Sequence, residues 1–156
     1  MNLLLWNIFL ALAWIALTAH ATPGNLLIGF ILGYVILGFA HRREATSSYF
    51  GKVLKVVSLG LFFIWELVIS SLRVAYDIVT PRQFMRPGVV AIPLDATTDG
   101  EITILANMVS LTPGSLSVDI SADRRVLYVH AMYIYDVEGV RRKIKQFEKR
   151  ILEISR

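Results

Sequence analysis

The chain has 156 residues, 55% of them apolar and only 18% charged, with a net charge of +4 and no cysteine. Soluble domains run at about 45–50% apolar and about 25% charged, so this composition points to a bilayer rather than to water alone. The missing cysteine excludes disulfides, thiolate metal sites and cysteine nucleophiles. The modest basic excess falls mainly at His41-Arg42-Arg43, at Arg82 and Arg86, and in the C-terminal helix. Beside apolar spans it fits an anionic membrane face better than nucleic acid.

The first apolar run, Leu3–Ala19, has Asn7 as its only strongly polar side chain. It is expected to be a helix of about 25 Å, slightly short of a ~30 Å hydrocarbon core. Trp6 is placed to sit near an interface and Trp14 deeper. Ala19-His20-Ala21 has the form of a signal-peptidase site. No Lys or Arg precedes the run and a second run follows at once, so retention is expected. That second run, Asn25–Ala40, follows a Thr22-Pro23-Gly24 turn and contains the small-xxx-small pair Gly29 and Gly33. Such a pair lets another helix approach closely; glycine is also simply commoner in membrane helices. The two short runs make either a thin hairpin across the bilayer or a re-entrant one. The positive-inside rule puts its His41-Arg42-Arg43 end in the cytoplasm and its uncharged turn on the other side.

The third run, Val53–Tyr76, is long enough to span but carries charge. Lys52, Lys55, Glu66, Ser70, Arg73 and Asp77 cluster on one helical face, with Leu61, Ile64, Val68 and Leu72 opposite. This is an amphipathic stripe, and it leaves two dispositions open. A helix in the interface keeps the rest of the chain on the side of the Arg42-Arg43 loop; a full span moves it across. The charge rule favours the first. Glu66 is the one acid in the middle of the run, a candidate for a proton or cation relay or for a structural contact with a partner. Arg73 and Asp77 form an i, i+4 pair. The three are the candidate intramembrane polar or interface residues.

These runs make residues 1–80 a membrane-embedded helical region. Residues 81–87, bracketed by Pro81 and Pro87, form a linker, and residues 88–156 a small α/β domain. Within it Gly88–Asp95 reads as a strand, ended by Pro93. Thr98 or Asp99 caps a helix from Glu101 to about Leu111, stopped by Thr112-Pro113-Gly114. Ser115–Ser121 and Val126–Met132 alternate as a hairpin of strands. Val137, Val140, Ile144, Phe147, Ile151 and Ile154 step along one face of a last helix. Arg141, Arg142, Lys143, Lys145, Lys149 and Arg150 populate its remaining surface, either a face for anionic lipid headgroups or an acidic partner or, as the mixed charge with Glu138, Glu148 and Glu153 favours, a solvated face. The fold class is therefore an α+β membrane protein, with N-terminal hydrophobic helices followed by a β-α-β-β-α domain. Two helices on one face of a three-stranded sheet are its simplest packing.

No phosphate loop, zinc-protease motif or nucleophile elbow is present. His20, His41 and His130 are far apart, and Asp119, Asp123 and Asp136 do not have the spacing of a calcium loop. No catalytic residue, metal site or cofactor is expected, and the protein is not read as an enzyme.

Asn107, the Ser110-Leu111-Thr112-Pro113-Gly114 block, Asp119, then Leu127-Tyr128-Val129-His130 and Asp136 form a pattern. With the order of parts, it resembles the E-type subunit of the Mrp-type (multiple resistance and pH) monovalent cation/proton antiporters, over essentially the whole chain. The resemblance implies an accessory subunit of a multi-subunit bacterial complex that exchanges sodium for protons. Such a subunit supports assembly and activity rather than carrying the main ion pathway. It implies partnership with other antiporter subunits and the lipid bilayer, no nucleic acid, and a multi-pass location in the bacterial inner membrane with the C-terminal domain cytoplasmic. Asn107, Thr112, Pro113, Gly114, Asp119 and His130 are family-like positions of structural kind. Two competing functions are a membrane-anchored regulatory or ligand-sensing domain, and a self-contained homo-oligomeric transporter built around Glu66, Arg73 and Asp77.

Overall fold

The structure, a computed structural model, describes residues 3–40, 48–80 and 85–156. The basic His41-Arg42-Arg43 loop and most of the linker read at 81–87 lie outside the described residues. The chain groups into two compact units, Met1–Leu54 and Lys55–Arg156.

The first unit is a helical hairpin, α1 (Leu3–Thr18) and α2 (Pro23–Ala40). Pro23 opens α2 at the position where its missing N–H costs nothing, and the Thr22 hydroxyl accepts from the Asn25 backbone N–H at 3.2 Å. Ala19 ends α1 in the left-handed region, φ 54°. A non-glycine residue there is strained, and Asn25 holds the turn by donating to His20 O at 2.8 Å. The Trp14 ring N–H donates to Asn25 Oδ1 at 2.9 Å. Trp14 is thus tied to the start of α2: its N–H needs a partner, and Asn25 supplies one.

Leu3, Asn7 and Ala11 of α1 are buried, as are Gly29, Gly33 and Leu37 of α2. Both sets are spaced by four, the ridge spacing of packed helices. A Cβ on Gly29 would lie 3.0 Å from the Ala11 backbone, and one on Gly33 only 2.2 Å from Asn7 Oδ1. The small-xxx-small pair therefore serves close approach inside the hairpin. A third helix, α3 (Ser48–Val79), starts against it. Asn7 Nδ2 donates to the Tyr49 hydroxyl at 2.7 Å, and Tyr34, Tyr49 and Phe50 form a ring cluster with centroids 5.0–6.1 Å apart.

The second unit contains α3 from Lys55 onward, β1 (Gly88–Pro93), α4 (Asp99–Leu111), β2 (Ser115–Ile120), β3 (Val126–Ala131) and α5 (Val137–Ser155). The sheet is antiparallel in the order β1-β3-β2. Val90 pairs with Val129 and Ser115 with Ala131, with a register shift between Ser117 and Asp119. Thr98 and Glu101 cap α4 reciprocally as a capping box. Thr112 closes α4, its hydroxyl donating to Met108 O at 2.8 Å, and Gly114 turns the chain at φ +87°, a conformation glycine alone adopts freely. Asp136 caps α5 by accepting from the Glu138 N–H at 2.9 Å.

The core is Val90, Ile92, Leu127 and Val129 of the sheet with Leu105 and Val109 of α4 and Ile144, Phe147 and Ile151 of α5. Leu59, Phe62 and Phe63 of α3 pack against it. Most of α3 therefore groups with the α/β elements, whereas a division at residue 80 would group it with the hairpin. The reason is its half-buried aromatic stripe, which covers Phe147.

Candidate functional site

The candidate site is the seam where the polar face of α3 meets α5, built from residues at helical spacing on both. Along it the α3 number rises as the α5 number falls, so the two helices run antiparallel. Lys55 Nζ donates to Glu153 O at 2.7 Å. Arg150 donates to the Ser58 hydroxyl at 3.0 Å, and its guanidinium lies 4.3 Å from the Phe62 ring centre. Phe62 and Phe63 meet Phe147 edge-on, at 5.0 and 6.4 Å. One to two turns further, Lys143 forms an ion pair with Glu66 and reaches the Ser70 hydroxyl at 3.4 Å. Arg73 then stands over the Tyr133 ring, 5.8 Å from its centre.

Glu66, the acid singled out in the run, is 17% exposed at its side chain, and the Lys143 ammonium that neutralises it is 34% exposed. Arg73 and Asp77 are not joined by an ion pair in the structure. Arg73 turns to the Tyr133 ring instead, and Asp77 is buried at 8% exposure with Oδ2 lacking a hydrogen-bond partner. The Tyr133 hydroxyl is likewise buried without a hydrogen-bond partner. Burial pushes the Tyr133 phenol up, and the Asp77 carboxylate beside it adds to the shift.

A cavity of about 70 Å³ opens at this end of the seam. Ser70, Arg73, Lys143 and Tyr133 line it together with Thr112, Pro113 and Gly114. The family-like turn thus borders the polar seam, and a side chain at Gly114 would meet the Tyr133 ring at 3.2 Å. The other family-like positions lie apart from it. Asn107 is exposed on α4, and Asp119 accepts from the Ile120 N–H at 2.8 Å beside the register shift. His130, half-buried, sits on the sheet face away from the core, opposite Leu116 and Val89.

The basic face of α5 is only in part solvated. Lys143 and Arg150 serve α3, and Arg141 reaches Ala91 O at 3.2 Å. Lys145 bridges Asp95 at 2.8 Å and Glu148 at 2.6 Å. Glu148, 1% exposed, accepts from the backbone N–H groups of Asp95 and Ala96 at 2.6 and 2.9 Å. Burial works to lower the Lys145 ammonium, but its two carboxylate partners outweigh that and hold it above its ordinary range. Glu101 accepts from Ser155 and from the Thr97 and Thr98 N–H groups, which together lower its carboxyl to about 2.

Sequence reasoning found Glu66 but not its partner. The signal was present: Lys143 and Arg150 are seven apart on α5 and Ser58 and Glu66 eight apart on α3, each about two helical turns, so each pair shares one face. Chemically the seam is a mainly basic set of side chains, Lys55, Arg73, Lys143 and Arg150 with the acids Glu66 and Asp77, that joins α3 to α5 and Tyr133. Among the described residues, no three His, Asp or Glu side chains group as metal ligands.

A family described as Na+/H+ ion antiporter subunit matches residues 7–154. The chain belongs to that family. It is 38% identical to the E-type subunit of the Na+/H+ antiporter of Bacillus subtilis over 154 residues, 98% of each chain. The corresponding Na+/H+ antiporter subunit of Alkalihalophilus pseudofirmus is 32% identical over 154 residues, again 98% of each. Among solved structures, a chain of the Mrp complex from Dietzia sp. DQ12-45-1b superposes with a TM-score of 0.50 at 26% identity, covering 66% of this chain and 97% of that one. A chain of an archaeal membrane-bound sulfane sulfur reductase complex shares the fold, with a TM-score of 0.58 at 24% identity over 96% of this chain and 98% of that one.

Proposed function

We propose that this chain is an accessory subunit of a multi-subunit sodium (monovalent cation)/proton antiporter in the bacterial inner membrane, contributing to assembly and activity and catalysing no reaction of its own. Its hairpin enters the bilayer with both ends inside, and its α/β domain is cytoplasmic. The basic Arg42-Arg43 loop and the uncharged hairpin turn support that sidedness. The partners are the other antiporter subunits and lipid.

The observation that carries the accessory reading is the Glu66–Lys143 pair. An acid that relays ions must exchange its charge with a pathway; this one is held by an ammonium of the same chain, and Asp77 faces a tyrosine of the same chain. Glu66 and Arg73 are thus fastenings between α3 and the α/β domain, with Asp77 buried beside them near Tyr133. Thr112, Pro113 and Gly114 shape the turn beside them. A ligand site in the seam itself is less well supported, because the seam cavity of about 70 Å³ is far below the roughly 300–1,000 Å³ of small-molecule sites.

The test is Glu66→Gln in the intact complex. Sodium/proton exchange in vesicles, normalised to the amount of assembled complex recovered through a C-terminal tag, is expected to stay within about twofold of wild type. Loss of exchange with assembly unchanged would make Glu66 part of a pathway. A chain that purifies without large antiporter subunits would overturn the accessory reading altogether.

A further inference from the structure

We propose that α3 lies flat in the cytoplasmic surface of the membrane, its exposed apolar face in lipid and its polar face carrying the α/β domain. This rests on the membrane-subunit reading above and adds the disposition of α3 and its partner.

By length and composition the stretch Tyr49–Val79 suffices to cross a bilayer. The seam argues against crossing. Its contacts run from Lys55 to Arg73, about 27 Å of helix at ~1.5 Å per residue, nearly a full hydrocarbon thickness of ~30 Å. A crossing α3 would draw Lys143, Arg150 and the elements behind them to membrane depth. The sheet has open edges at β1 and β2, and unpaired strand edges do not occur in hydrocarbon. Charges there are rare and strongly disfavoured.

The opposite face is apolar along its length. Val57, Leu61, Ile64, Val68 and Leu72 are 48–64% exposed, with Trp65 and Tyr76 beside them at 64% each. These side chains are bulky. Helices that pack on one another within a membrane favour small residues at the contact, as the hairpin does at Gly29 and Gly33. A broad face of Val, Leu, Ile, Trp and Tyr suits acyl chains and the headgroup boundary instead. The bilayer is also where α3 begins, since Asn7 bonds Tyr49 and Phe50 lies 3.5 Å from the Cβ position of Gly38.

The experiment is a depth profile. Single cysteines replace Val57, Leu61, Ile64, Val68 and Leu72 in turn, in a chain that has none of its own. Each is spin-labelled in the whole complex, in phosphatidylethanolamine/phosphatidylglycerol vesicles, and the signal of the unsubstituted complex is subtracted. Collision with oxygen and with a water-soluble nickel chelate gives the depth of each label. The expected result is one shallow depth at all five positions, with oxygen favoured over nickel. A spanning α3 would instead spread positions 57 to 72 over about 22 Å of depth, and that gradient would overturn the proposal. Labels immobilised and shielded from both reagents would also overturn it, by showing a protein against this face. Any substituted chain that fails to co-purify with the complex is replaced by Leu54 or Tyr76, both 64% exposed. Failure of the cytoplasmic reading is read separately, from the side on which a membrane-impermeant maleimide reaches Ala122→Cys in the β2–β3 turn.

Discussion

In the α1–α2 hairpin, Gly29 and Gly33 let two backbones close on Ala11 and Asn7, and the buried contact residues of both helices include no charge. Along the α3–α5 seam the order of means is reversed: lysine, arginine and glutamate side chains reach across, and aromatic rings fill the space between them. On the disposition proposed above, the difference follows from the solvent each contact competes with, hydrocarbon at the hairpin and water at the seam. In hydrocarbon there is no hydrophobic gain in helix association, so close packing and a hydrogen bond such as Asn7–Tyr49 must supply it. Where a seam meets water, covering aromatic rings such as Phe62, Phe63 and Phe147 provides the drive. The charges set register more than strength, since partly exposed pairs contribute about 0.2–1 kcal/mol.

The largest expected effect breaks the seam while sparing the hairpin. Phe147 is 2% exposed and touches both Phe62 and Phe63. Phe147→Ala removes the ring on which α3, α5 and the sheet converge, at about 3–5 kcal/mol for a core phenylalanine. Denaturant unfolding of the detergent-solubilised chain, followed by proteolysis of the α/β domain, should show that loss. Protection of the hairpin against the same protease should be unchanged; loss of both together would mean that the two regions are not held independently.

The hairpin responds to the opposite change, an added atom. Gly33→Ala would place a methyl 2.2 Å from Asn7 Oδ1, so one side chain or the helix must move. Overpacking of this kind costs about 1–3 kcal/mol. Asn7→Ala removes the obstructing oxygen but also the bond to Tyr49. The double variant Asn7→Ala with Gly33→Ala should therefore be more stable than the sum of the two single losses predicts, by a double-mutant cycle on hairpin unfolding in mixed micelles. Simple additivity would mean that the close contact at Gly33 is not what fixes the hairpin.

What could be read from the sequence divides along the same line. The elements of the α/β domain were legible because their signals are local. Thr98 followed three residues on by Glu101 is a capping box, Pro113-Gly114 is a stop, and the Val140 to Ile151 stripe has helical period. The polar face of α3 was legible for the same reason. Its partner was not: Glu66 and Lys143 are joined only once the sheet and α5 have folded back over α3. Gly29 and Gly33 announced a close approach, but glycine spacing does not say whose helix approaches, and here it is the chain's own α1. The hydrogen bond from the Trp14 ring to Asn25 joins two runs that an apolar window treats separately. Arg73 and Asp77 have pair spacing, but Tyr133 lies beside both.

Acid separates the two regions without any substitution. Neither α1 nor α2 contains Asp, Glu, Lys or Arg, so hairpin packing has no such group to titrate. The α/β domain has Glu101, whose carboxyl is lowered from 4.5 to about 2 by the Ser155 hydroxyl and the Thr97 and Thr98 N–H groups. A depressed folded-state pKa stabilises the fold at pH values above the unfolded value, and that contribution is lost as pH falls through the folded one. Domain stability from this group is thus complete above pH 4.5 and declines between there and about 2. Asp95, lowered by its hydrogen bond to Lys145, adds a decline of the same sign. Glu101→Gln keeps the shape but cannot titrate, so its domain should unfold more easily at neutral pH, with the gap to wild type narrowing as the buffer is acidified through that window. Thermal unfolding at a series of pH values measures the gap directly. A gap that stays constant with pH would assign the stabilisation by Glu101 to its shape at the start of α4 rather than to its charge.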